Sequence, residues 1–182
     1  FISSKQDLEE LARIAGMSPT QKGSVKVLDS GAAIDIVTSS ASAVPGTIRF
    51  NSTTVSTANG FKKPELKCDV ITKVGMLDGS VREARRNGAL IMPECEHELI
   101  SVGSWAAQGI STFLDANGGS YLQFADGERA PIFNLGVLVL PEVDDSWNDK
   151  ASQLRACAAS SDLAGWQTSL TAVPVANARP VT

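Results

Sequence analysis

The sequence predicts a mainly β domain, and three observations carry that expectation. Between residues 25 and 141 the apolar residues come in short runs rich in Val, Ile and Leu, not at helical spacing. Turn dipeptides punctuate these runs: Asn59-Gly60, Asp78-Gly79, Asn87-Gly88 and Asp126-Gly127. Inside that span only Ser104 to Gln108 has helical spacing, and Gly109 closes it.

Taken in order, residues 3–16 read as a helix. Ser4 can cap it, Asp7 suits its dipole, Leu8, Leu11, Ala12 and Ala15 form an apolar stripe, and Gly16 stops it. Val25–Leu28 and Ile34–Thr38 are the first two strands. Thr53–Thr57 alternates and leads into Asn59-Gly60, the strongest short hairpin signal in the chain. Leu66–Val74 begins with period two and is expected to shift phase near Ile71. Ala89–Met92 is a short strand ended by Pro93, and Glu94–Glu98 is a polar loop. Leu99–Gly103 runs into the helical stretch. Ile110–Leu114 and Tyr121–Phe124 are strands joined through Asn117-Gly118-Gly119, and Ile132–Leu140 is a single strand ended by Pro141. Beyond it the composition turns to Ala, Ser, Asp and Thr, with a weak helix over Ala151–Ala159 and a linker from 171 onward. The expected division is an N-terminal helical extension (1–22), a β domain (23–143) and a C-terminal extension or linker (144–182).

The bulk numbers exclude several classes. The 182 residues carry a net charge of -4 with no long basic run, which gives a nucleic-acid or anionic-membrane role no support. No apolar run approaches a membrane span, and the first residues lack a secretory signal pattern. Starting at Phe1 and not Met, the chain reads as a piece of something longer. Cys68, Cys95 and Cys157 are three cysteines at unrelated spacings, which reads as free thiols in a reducing compartment.

Chemistry concentrates in Val27-Leu28-Asp29-Ser30-Gly31-Ala32-Ala33. An apolar run delivers one carboxylate into a Ser-Gly turn, and a second β-branched run follows. That arrangement presents Asp29 at a loop tip, where Ser30 can brace the loop and Gly31 lets backbone approach closely. The plainer reading is an Asx turn at a strand end.

A second landmark decides between the two. Leu99-Ile100-Ser101 precedes a short helix, Gly103–Gln108, and then Gly109 and Ile110–Phe113. Together with Leu28-Asp29-Ser30-Gly31-Ala32, this resembles the retroviral-type aspartic proteases (retropepsins), most of all those of copia-type retrotransposon polyproteins. Thr57-Ala58-Asn59-Gly60 resembles their Asn/Asp-Gly hairpin, and Leu90-Ile91-Met92-Pro93 their apolar strand ending in Val-Pro. The likeness runs from about Val25 to Pro141. It departs at Ala33 and Asp35, where copia-type members often have Thr and His, and at Glu94, where many have Gly. Ser101 stands where retroviral members have Gly, so its backbone must avoid a Gly-only conformation.

The resemblance implies a closed or partly open β-barrel, an aspartic endopeptidase acting on a polyprotein, and a C2 homodimer with Asp29 and its mate on the axis. It implies Ser30, Gly31 and Ala32 as supports of the acid loop, and Thr57, Ala58, Asn59 and Gly60 as the substrate-covering flap, with Cys68–Gly75 as an alternative flap. Leu99, Ile100 and Ser101 form the second loop beside the active site. It implies no cofactor and no metal, a polypeptide substrate, no nucleic acid or membrane partner for this domain, and a place in the cytoplasm or within virus-like particles. The alternative is a retropepsin-fold dimerisation or peptide-binding module without turnover. A third reading is a β-rich structural domain of a particle-forming polyprotein with Asp29 as an ordinary turn acid.

Other motifs read as structural. His97, the single histidine, sits in a polar loop; Cys95, His97 and Glu98 lack the Cys-x-x-Cys that would make them a zinc set. Asn117-Gly118-Gly119 has no phosphate-loop Lys. Arg82, Arg85 and Arg86 read as a solvated strand edge, Trp105 as core or dimer packing, and Asp35 as a surface or structural acid.

Overall fold

A computed structural model describes residues 26–57, 60–114, 120–134 and 137–158. The expected N-terminal helix, the Asn117-Gly118-Gly119 turn and the 171–182 linker lie outside these residues. The described chain is mainly β. Thirteen strands run in order: β1 (Lys26–Asp29), β2 (Ile36–Val37), β3 (Arg49–Phe50), β4 (Val55–Thr57), β5 (Gly60–Lys62), β6 (Leu66–Gly75), β7 (Val81–Ile91), β8 (Glu98–Ser101), β9 (Ser111–Phe113), β10 (Tyr121–Gln123), β11 (Arg129–Pro131), β12 (Phe133–Asn134) and β13 (Leu138–Leu140). Helix α1 (Val102–Ala106) follows β8, and α2 (Trp147–Ala158) follows β13. No described helix is long and apolar enough to cross a membrane.

Eight strands form one sheet in the order β12-β13-β1-β8-β2-β7-β6-β3. Among the described residues the sheets are not closed into a barrel: β12 and β3 stand at opposite ends of the strand order, β9–β11 make a separate three-stranded sheet, and β4–β5 a two-stranded one. The central strands explain the apolar runs of the sequence. β1 is sandwiched between antiparallel β13 and parallel β8, so Val27 and Leu28 are both buried. Strands covered on both faces read as continuous apolar stretches, not alternating ones.

The longest pair, β6 and β7, corrects two expectations. β6 keeps its inward residues in step: Cys68, Val70, Thr72 and Val74 are all buried, and Ile71 points outward. The phase change occurs in β7. Cys68 pairs with Ala89 and Val70 with Arg86, so Asp69 alone faces Asn87 and Gly88. Asn87-Gly88 is therefore a β-bulge and not a hairpin turn, with Gly88 left-handed at φ 69°. Asp69 holds the bulge together. Its carboxylate accepts from the Gly88 amide (2.9 Å), Arg85 (2.9 Å) and Arg49 (3.0 Å). The Arg85 bond, seconded by the Gly88 amide and Arg49, brings its pKa down to about 2.

The expected single strand 132–140 is broken. Phe133 pairs back on Val139 and Asn134 on Leu138, making β12 and β13 a hairpin. Asn134 and Gly136 are turn-formers within that run. The helical stretch sits two residues earlier than its spacing implied. Ser101 caps it by accepting from the Ser104 amide at 3.1 Å, with φ -69° and ψ 113°, a conformation open to any residue.

The main core gathers Leu28, Val74, Ile100, Trp105, Leu122 and Ile132 with their neighbours. α2, within the segment read as an extension, is packed against the same body. Trp147, Ala151 and Leu154, at i, i+4 and i+7, are buried, and the Trp147 indole donates to the Met76 carbonyl at 3.0 Å. Its ring lies where a side chain on residue 75 would be: a Cβ on Gly75 would come within 2.0 Å of it.

Trp147→Ala, or a chain ended at residue 143, is expected to lose about 3–5 kcal/mol of stability, read by denaturant unfolding. Asp69→Asn is expected to flatten the acid limb of stability. A carboxylate held near 2 stabilises above its unfolded value of 3.8, and that contribution fades as pH falls toward 2. With both arginines about half exposed, its size is on the order of 1 kcal/mol, measured as the unfolding midpoint between pH 5 and 2.

Candidate active site

Asp29 is the last residue of β1, half-buried, and opens a loop that returns as β2 at Ile36. β1 and β2 do not pair with each other. β8 runs between them, parallel to β1 with Asp29 opposite Ser101, and antiparallel to β2 with Ile36 opposite Leu99. The two landmarks of the sequence, 72 residues apart (101 − 29), are thus adjacent in space.

The loop is fastened at both ends by Ser101. Its hydroxyl donates to the Ala32 carbonyl at 2.7 Å, and its amide donates to Asp35 Oδ1 at 2.6 Å. Asp35 is buried, a structural acid beneath the loop and not a surface one. Burial pushes its pKa up; the Ser101 amide and the nearby Arg86 charge oppose that without reversing it. Two of the departures noted in the sequence, Asp35 and Ser101, thus contact each other.

Asp29 Oδ1 accepts from the Gly31 amide at 2.8 Å, a local Asx-type bond. Gly31 serves by close approach: a Cβ there would stand 3.3 Å from that oxygen, and its φ is not left-handed. Ser30 is exposed and Ala32 half-buried. Ile100 is fully buried in the main core, and Leu99 packs on the cluster of Ile36, Leu90 and Met92, so the second loop is anchored by apolar side chains.

Of the expected flap, Thr57 and Gly60 are described and Ala58 and Asn59 are not. They join β4 and β5, paired Val55 to Lys62 and Thr57 to Gly60, with the Thr57 hydroxyl donating to the Gly60 carbonyl at 2.8 Å. Gly60, the first residue of β5, is left-handed at φ 98°. The ribbon forms its own sheet, with Val55 packed on the Ile36–Leu90–Met92 cluster. The alternative flap, Cys68–Gly75, forms the body of β6 in the main sheet, paired with β7.

Sequence reasoning passed over Asn51. This buried side chain donates to the Thr53 and Pro64 carbonyls (2.7 and 2.9 Å) and accepts from the Thr53 amide (3.0 Å), clasping the base of the hairpin. Its signal is faint, a lone Asn before a β-branched run. Between this clasp, the loop end Ala33–Asp35 and the β7 bulge lies a cleft of about 260 Å³.

The three arginines are not a solvated edge, because β7 is interior to the sheet. Arg82 pairs with Asp126 (2.6 Å), Arg85 with Asp69, and Arg86, 1% exposed, with Glu98 (2.6 Å). Glu98 is turned inward to Arg86 and so is not shared with Cys95 or His97. Among the described residues no group of three His, Cys, Asp or Glu is placed to hold a metal. Trp105 is buried in the core. Cys68 is a buried free thiol and Cys95 a half-buried one, both pushed up in pKa by burial.

The arrangement presents one half-buried carboxylate on a braced loop, a ribbon on a separate sheet, and a polar cleft between them. Comparison with protein-family models and with curated proteins finds no match for this chain.

Asp35→Asn keeps an acceptor for the Ser101 amide and removes a buried charge, so its stability is expected to stay within about 1 kcal/mol of the unaltered chain at pH 7. Asp35→Ala leaves that amide unsatisfied and is expected to cost about 1–3 kcal/mol. Thermal unfolding of the two variants side by side reads the difference.

Proposed function

We propose that the chain is one half of a retropepsin-like aspartic endopeptidase, completed when two copies meet at Asp29, and that it cleaves a retrotransposon-type polyprotein. The observation that carries this reading is the insertion of β8 between the strands flanking the acid loop, which brings Leu28-Asp29-Ser30-Gly31 and Leu99-Ile100-Ser101 side by side. The order and spacing of the motifs that resemble copia-type proteases point the same way.

One carboxylate is a weak tool for amide hydrolysis, and two facing ones are far better. Two charges about 4 Å apart at a near-surface dielectric repel by about 4 kcal/mol, roughly three pKa units, so the pair keeps one proton between its members. Aspartic proteases are the known case of such sharing. The ionised member takes a proton from a water, the water oxygen attacks the peptide carbonyl, and the protonated member donates to the carbonyl oxygen. Collapse of the tetrahedral species expels the amine, with the dyad returning a proton to its nitrogen. The substrate lies extended beneath the hairpin of Thr57 and Gly60, bonding through its backbone as an added strand.

A second reading, a dimerising or peptide-binding module without turnover, draws on the Asx-type bond of Asp29 to the Gly31 amide, which suits a purely structural turn as well.

Asp29→Asn is expected to abolish pepstatin-sensitive peptide cleavage, at least a thousandfold in rate, with unchanged unfolding. Cleavage near the unaltered level in that variant removes the assignment. Sedimentation of the unaltered chain is expected to show a dimer under the conditions of cleavage; a monomer that still cleaves defeats the shared-site mechanism.

A further inference from the structure

We propose that the cleft beside the acid loop is a binding pocket for an acidic side chain of the bound polypeptide, with Lys67 as the residue that selects it. The inference rests on the peptidase reading for its polypeptide ligand.

The cleft is bounded on one side by Ala33–Asp35 of the acid loop and on the other by Asn51 and Thr53 at the hairpin base, with Lys67 and the Asn87-Gly88 bulge along the sheet. A peptide strand passing between hairpin and acid loop crosses its mouth. Its 260 Å³ equals the share of roughly nine waters in the liquid, which accommodates one side chain of Glu size.

The polar groups there are biased toward donation. Asn51 has spent its amide on two carbonyls and its oxygen on the Thr53 amide. The Asn87 side-chain oxygen accepts from Arg85 Nε at 2.9 Å, which leaves its NH2 to donate. Asp35, the one carboxylate on the wall, already accepts from the Ser101 amide on Oδ1 and lies in the field of the buried Arg86. Lys67 is half-buried and has no carboxylate within ion-pair distance among the described residues. Behind the bulge stand Arg49 and Arg85, two cations sharing the single charge of Asp69. A partly desolvated cation with donors around it and no anion of its own is complementary to a carboxylate. The Arg49 guanidinium stands next to the lining at the bulge: a side-chain carbon on Gly88 would lie 3.6 Å from its Nη2.

The test uses the 182-residue chain with Asp29→Asn, so that peptides bind without being consumed. The probes are three fluorescein-labelled decapeptides of Ser, Ala, Val and Leu that differ in one central residue, Glu, Gln or Lys. The Glu peptide is expected to bind about tenfold tighter than the Gln peptide, the worth of one charge-assisted bond. Lys67→Met, which keeps the stem of the side chain, is expected to erase that difference without changing thermal unfolding, and Lys67→Glu to turn the preference toward the Lys peptide. Equal affinities for Glu and Gln, a Glu preference that survives Lys67→Met, or no binding of any of the three overturns the pocket. Cleavage of unfolded casein by the unaltered chain is scored in parallel. Its absence overturns the peptidase reading, so the two failures are read separately.

Discussion

Strand β8 lies between two strands that the sequence places next to each other, and the rest of the molecule is built around keeping it there. β1 and β2 are separated by only a short loop, yet neither can satisfy its inward backbone groups on the other, because β8 takes the partners of both. The loop must therefore span a full strand width, and its tip is held by the residue at the end of the inserted strand. Ser101 does this with two bonds to the loop and uses its hydroxyl again as the cap of α1. One residue thus ends a strand, starts a helix and fixes the loop that carries Asp29. The buried Asp35 carboxylate is the cost of that arrangement, since burial opposes its charge and the Ser101 amide offsets only part of it.

The same constraint reaches into the sheet. Glu98 begins β8, and its carboxylate is held by Arg86 from two strands away, across β2. The guanidinium is almost wholly buried, and its Nε and Nη1 have no hydrogen-bond partner among the described residues. A pair of this kind adds little net stability, because both ions give up water, but loss of either partner strands a charge in the interior. It therefore acts mainly on register. A slip of β8 by one residue would turn Glu98 to the other side of the pleat, away from Arg86, and Asp29 would no longer stand opposite Ser101. The bulge at Asn87-Gly88 belongs to this logic. It changes the phase of β7, so that Arg86 before it and Ala89 after it both lie on the face of Val70 and Cys68, and Leu90 is buried on the opposite face with Ile36 and Met92.

Class and landmarks were legible in the residues; long-range pairings were not. Asn59-Gly60 marks a hairpin because a tight chain reversal uses left-handed backbone nearby, and Gly60, the first residue of β5, has it. Asn87-Gly88 carries the same local signal for a different use, since a left-handed Gly serves a bulge as well as a turn. Only the pairing of β6 with β7, fixed by residues nearly twenty positions away, decides which. The run 132–140 reads as one strand because its apolar residues outweigh Asn134 and Gly136. The arginines misled for a similar reason. Three cations in five residues read as solvated surface, but each has an acid brought to it by a distant segment: Asp126, Asp69 and Glu98. Trp147 carried a legible signal, a bulky ring at i of an i, i+4, i+7 set with Ala151 and Leu154, that the polar composition around it hid. Asp35 and Asn51 were invisible as contributors because their partners are backbone groups, which sequence does not label.

The division between braced and loosely mounted parts bears on function. The acid loop rests on the main sheet through two bonds from a buried residue, and its neighbours Leu28 and Ile100 lie in the largest core. The β4–β5 ribbon is a two-stranded sheet on its own, joined to the body chiefly through Val55 and the Asn51 clasp, with Phe61 on it 79% exposed and Phe50 before it 87% exposed. A two-stranded ribbon is marginal by itself and opens at lower free energy than the sheet beneath it. The proposed peptidase would use that asymmetry, since a carboxylate pair works only when held to a fraction of an ångström, whereas a cover must admit and release a chain. Under that proposal the exposed Phe61 ring on the ribbon would lose water when a polypeptide lies against it, so binding and closure would draw on the same buried surface.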